Sequence, residues 1–92
     1  MKNYVKRNSV GVFIESKIEI NKSEDWSLLQ AALRCYINEQ EESIKFFEKR
    51  LSDCEDKDEI LEYKHSLEFR NQEKNLAKNA LNDLILGNEI KI

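Results

Sequence analysis

The chain has 92 residues, 40% of them hydrophobic and 36% charged, with two glycines, no proline and a formal net charge of -3. That length suits a single domain, and no apolar run approaches the ~20 residues that span a bilayer, which excludes a membrane-spanning role. Scarce Gly and Pro disfavour a fold built from loops.

The charge is uneven. Residues 1–22 carry Lys2, Lys6, Arg7, Lys17 and Lys22 against Glu15 and Glu19, a basic segment, so the remainder is acidic. The densest acidic run is Asp53, Glu55, Asp56, Asp58, Glu59 and Glu62, relieved only by Lys57. Such a balance disfavours a dedicated nucleic-acid binder while leaving room for a local basic patch. No apolar stretch of signal-peptide length follows Met1-Lys2, so the expected compartment is the cytoplasm.

In chain order, residues 1–22 read as a β region. Asn3-Tyr4-Val5-Lys6 is β-compatible and Arg7-Asn8-Ser9 supplies turn chemistry. Residues 10–20 alternate, with Val10, Val12, Ile14, Ile18 and Ile20 on one face and Phe13, Glu15, Lys17 and Glu19 on the other. This is one half-buried strand, or two short ones turning near Glu15-Ser16-Lys17. A two-stranded ribbon is marginal alone, so residues 89–92, Glu-Ile-Lys-Ile, are expected to add a third strand.

The intervening segment reads as helix. Ser23 is the expected N-cap, with Glu24 and Asp25 in the first turn, and Gly87 suits the C-terminal cap. Trp26, Leu33, Ile37, Gln40, Ile44, Phe47, Leu51 and Cys54 form a coiled-coil-like seam. Continued unbroken, that seam would run through Asp58, Leu61, His65, Glu68, Gln72, Asn75 and Asn79, six of the seven polar; the apolar stripe instead moves to Ile60, Tyr63, Leu67, Ala77, Leu81 and Leu84. The phase breaks near residues 55–59, where Ser52-Asp53-Cys54-Glu55 and Asp56-Lys57-Asp58-Glu59 both resemble capping boxes. The pattern predicts a hairpin of helices 24–53 and 57–86, each roughly 45 Å long. Phe47/Leu67, Ile37/Ala77 and Leu33/Leu81 fit one antiparallel register. Ile44/Arg70 and Gln40/Lys74 then make a polar middle layer, with Glu41 or Glu48 as rim partners.

Catalytic, cofactor and metal signatures are missing from the sequence. Cys35 and Cys54 on one helix would stand roughly 28 Å apart, too far for a disulfide, and read as reduced, mostly buried thiols. The lone His65 reads as solvated, and the isolated Gly11 and Gly87 make no phosphate loop. The carboxylate runs read as solvated faces with no apolar pocket to tune them.

The apolar residues off the seam are the informative remainder. Leu28, Ala32, Cys35, Leu76 and Ala80 can be covered near the open end of the hairpin by the strand face Val12/Ile14/Ile18/Ile20. Phe46 and Phe69 lie further towards the tip. Covering each Phe is worth roughly 1.5–3 kcal/mol, either within the chain or by a homodimer closing a four-helix bundle or another protein.

The expectation is therefore an α+β chain. It has a long antiparallel two-helix hairpin with a small antiparallel sheet, formed from residues 1–22 and 89–92, packed on the open end. The expected function is a small non-catalytic cytosolic interaction protein (inhibitor, adaptor or regulatory subunit) that binds a protein partner through Phe46 and Phe69. Asp56 and Glu59 would steer that encounter. The composition would suit an AT-rich bacterial or bacteriophage genome. The alternative is a dimeric nucleic-acid-associated regulator using the basic N-terminal strand with Arg70, Lys74 and Lys78.

Overall fold

The computed structural model describes residues 1–86 and contains two hairpins in series. β1 (Lys2–Arg7) and β2 (Phe13–Glu19) form an antiparallel ribbon; α1 (Ser23–Asp53) and α2 (Lys57–Leu86) form an antiparallel helical pair. The α+β class and both helix spans agree with the sequence reading. The expected strand at 89–92 and the cap at Gly87 lie outside the described residues.

The ribbon reverses at Asn8–Val12 because that segment satisfies its own backbone. Asn8 Oδ1 accepts from the backbone N–H groups of Val10 and Val12, both at 3.0 Å, and Asn8 N–H donates to Val12 O at 2.9 Å. Gly11 takes a left-handed φ of +86°, where a β-carbon would be strained. Glu15-Ser16-Lys17 offers neither device and lies in mid-strand, which removes the alternative turn there. Val10 and Val12 consequently belong to the turn, and the expected five-residue apolar face shrinks to Ile14 and Ile18 on β2.

Register sorts the rest: Lys2↔Glu19, Tyr4↔Lys17 and Lys6↔Glu15 share one face, and Asn3↔Ile18 and Val5↔Ser16 the other. A shift between Lys6 and Arg7 sets Arg7 opposite Phe13.

The ribbon does not pack on the helices, contrary to the expected cover. Strand meets strand and helix meets helix, and every residue of β1 and β2 is exposed. Leu28 and Leu76, expected under the sheet, are 66% and 64% exposed. Lys22 is extended (φ -117°, ψ 134°) and leads the chain into the ribbon without folding it back over the helices. The Met1 ammonium, 3.3 Å from Asp25 Oδ2, is the tie between ribbon and α1.

Ser23 is the first helical residue and not the cap. The capping position belongs to Lys22, which makes no side-chain cap bond. Glu24 and Asp25 do occupy the first turn, where the helix dipole favours acids. At the tip, Asp56 Oδ1 accepts from the N–H groups of Asp58 (2.8 Å) and Glu59 (3.4 Å), starting α2. The Ser52 box does not form; Ser52 Oγ donates back to Lys49 O at 2.8 Å inside α1.

The helices meet along a narrow seam. Ile37, Ala77 and Leu81 are buried together with Leu33 against them, and Ile44 is buried nearer the tip. Between these apolar layers Gln40 is only 3% exposed and accepts from Arg70 Nη1 at 3.2 Å. The polar middle layer is thus present with a changed pairing: Arg70 reaches Gln40 diagonally, and Glu41 pairs with Lys78 at 3.8 Å. Tyr36 Oη donates to Glu73 Oε2 at 2.7 Å. That bond to a carboxylate, which favours the neutral phenol, is the main reason the Tyr36 pKa is raised.

The molecule is long, 60 × 34 × 19 Å, with a radius of gyration of 18.2 Å. A compact chain of this length would have roughly 12 Å. Its accessible surface of 7842 Å² likewise exceeds the roughly 5,600 Å² expected for a compact monomer of this mass. No helix among the described residues is long and apolar enough to cross a membrane.

Candidate functional site

A concavity lies at the hairpin tip, where the α1–α2 turn leaves a groove of about 620 Å³. Phe46, Arg50, Asp53 and Cys54 form one side, and Glu59 and Tyr63 of α2 form the other. The groove follows from the sequence order. Phe46 and Arg50, one turn apart, share a face of α1 beside the seam, and the Asp56 cap brings Glu59 round to meet them.

Phe46 is 52% exposed, with its ring edge-on to Phe47 at 5.3 Å and the Arg50 guanidinium 5.1 Å from its centroid. Phe47 in turn packs against Tyr63 across the hairpin, ring centroids 6.1 Å apart. Cys54 Sγ lies 3.3 Å from Glu59 Oε2 and 3.7 Å from Asp56 O. Burial, and then the hydrogen bond to Glu59, push the thiol pKa up, which keeps it protonated and a weak nucleophile.

Of the four predicted contact residues, the fold brings two together. Phe46 and Glu59 line the same groove. Asp56 stands between the helices, but its carboxylate caps α2. Phe69 lies outside the groove on α2, 53% exposed, with the Arg70 guanidinium 5.7 Å from its ring. Lys49, Arg50, Asp53 and Tyr63 were not among the predicted contact residues, although the Phe46/Arg50 spacing of one helical turn carried a usable signal.

The other highlighted side chains fall elsewhere. Cys35 is exposed and Cys54 half-buried, which corrects the expectation of two mostly buried thiols. Cys35 lies beside the seam, and the strands that were to cover it stand away. His65 is exposed. Arg70 is engaged with Gln40, and Lys78 with Glu41, while Lys74 is half-buried. A smaller depression of about 330 Å³ between Arg34, Asn38, Lys78 and Asn82 has buried Ile37 and Leu81 at its base.

The fold and groove define an α+β helical hairpin carrying a β-ribbon at its open end. Comparison with family models, curated proteins and solved structures finds no match.

Proposed function

We propose that the protein is a small non-catalytic interaction protein of the cytoplasm, an adaptor, inhibitor or regulatory subunit, that binds a protein partner through the tip of its helical hairpin. The observation that supports this reading is the half-exposed Phe46 in a groove framed by Arg50, Asp53 and Glu59. An aromatic anchor inside a charged rim is the arrangement that concentrates binding energy in protein interfaces. Six acids against three bases between residues 49 and 62 suit a partner segment with an apolar side chain flanked by basic residues. Free thiols at Cys35 and Cys54 suit a reducing compartment.

The test is quantitative capture from lysate of the source cells, with wild type, Phe46→Ala, Phe69→Ala and Glu59→Lys compared at matched helical content. A partner retained by wild type and Phe69→Ala, lost with Phe46→Ala and weakened by Glu59→Lys supports the tip. Equal recovery on all four chains overturns it. Asp56 is unsuitable for charge reversal because the change would also uncap α2.

A further inference from the structure

We propose that the free edge of β2 is a self-association edge, on which β2 of a second copy of this chain pairs antiparallel about a two-fold axis at Ser16. Among the described residues β2 has β1 on one side and no strand on the other. Both strands are exposed throughout, and an isolated two-stranded ribbon is marginal in water, whereas three or more strands with an apolar face are stable. Among the described residues the ribbon finds no support from the helices, which leaves the outer edge of β2 open to a strand of a second chain.

The two edges differ in chemistry. β1 presents Lys2, Lys6 and Arg7 with no acid among them. A second β1 would bring cations against cations, and lysines on an edge are a usual guard against pairing. β2 reads Phe-Ile-Glu-Ser-Lys-Ile-Glu and is self-complementary. With the axis at Ser16, Glu15 faces Lys17 of the second copy and Lys17 faces its Glu15. Ile14 faces Ile18, and Phe13 faces Glu19, so all seven residues are paired and no like charges are opposed. Centring on Lys17 would oppose Glu15 to Glu19 and Lys17 to itself. Centring on Glu15 would oppose that carboxylate to its own copy. A one-residue slip would set Ile14 against Lys17.

The product is a four-stranded sheet in the order β1-β2-β2-β1. One face carries Val5, Ile14 and Ile18 from both copies. Across the other runs a row from Lys6 through Glu15 to Lys17 and Tyr4 of the second copy. Excess accessible surface over a compact monomer, about 2,200 Å² on the figures above, exceeds the ~800 Å² that each partner gives to a standard interface. The edge is at the opposite end of α1 from the tip groove, so the two surfaces stand or fall separately.

Sedimentation of the full chain from micromolar to several hundred micromolar tests the edge. The wild type should dimerise with concentration. Glu15→Lys and Lys17→Glu should each raise the dimer Kd at least tenfold, because each opposes like charges twice. An equimolar mixture of the two variants should regain the dimer, because every opposed pair is again of unlike sign. Circular dichroism confirms that the variants keep their helices. As a second measurement, Ser16→Cys in a C35S/C54S background should oxidise to a covalent dimer, since directly opposite residues lie about 4.5–5.5 Å apart, within disulfide reach. A wild type monomeric at every concentration, with the edge left to residues 89–92 or to solvent, overturns the proposal. So does a dimer that both charge variants retain, or a mixture that fails to recover it.

Discussion

Arg70 Nη1 donates a 3.2 Å hydrogen bond to Gln40 Oε1, joining the two helices at a polar side chain that is only 3% exposed. Removing either partner strands the other. Gln40→Ala and Arg70→Ala should each cost about 1–3 kcal/mol in urea unfolding. The double variant Gln40→Ala/Arg70→Ala should lose less than the two single changes together. Additive losses across the cycle would show that the two groups are not coupled.

Helix starts offer a contrast of opposite kinds. Asp56→Ala removes the oxygen that holds the Asp58 and Glu59 amides and should destabilise by about 0.5–2 kcal/mol. Ser23→Ala removes no cap bond and should fall within about 0.5 kcal/mol of wild type. Chemical denaturation followed by helical circular dichroism checks both.

Core and surface leucines should separate just as cleanly. Leu81 is buried with Ile37 and Ala77, so Leu81→Ala should cost about 2–5 kcal/mol. Leu76 lies five residues earlier, off the buried stripe and exposed, and Leu76→Ala should stay within about 0.5 kcal/mol. Thermal melts of the two variants measure the difference.

Tyr36 links stability to alkaline pH. Its pKa is raised, so the folded chain holds the phenolic proton more tightly than the unfolded chain does. That contribution is complete below the unfolded tyrosine pKa of about 10 and is lost as pH rises through the higher folded value. The melting temperature of the wild type should therefore fall more steeply above that pH than that of Tyr36→Phe. A common slope in both chains would refute the link.

Cys54 and Cys35 should differ in reactivity. Burial and Glu59 hold the Cys54 thiol protonated, whereas Cys35 is exposed. Peptide mapping after brief iodoacetamide treatment should find Cys35 alkylated first. Glu59→Gln should move the pH profile of Cys54 towards lower pH.

Much of the helical hairpin was legible along the chain. The shift of the apolar stripe near residues 55–59 located the reversal, and Asp56 three residues before Glu59 supplied a cap able to restart a helix there. Ile37/Ala77 and Leu33/Leu81 meet as their shared register requires. These features are short-range: periodicity and capping are written within a few residues, and a three-residue link leaves two long helices little choice but to pack side by side.

Contacts between units were not legible in the same way. Alternation in β2 shows which residues share a face, but the face alone does not say whether a helix covers it. In this chain the extended Lys22 junction carries the ribbon away from the helices. The partner of Gln40 was misjudged: the register set it opposite Lys74, whereas the structure pairs it with Arg70, four residues earlier on α2. Composition and spacing thus settle the two helices and the place of their reversal, being properties of neighbouring residues. Which surfaces are covered is a competition between distant ones, and in this chain it leaves the ribbon edge and the Phe46 groove facing outward.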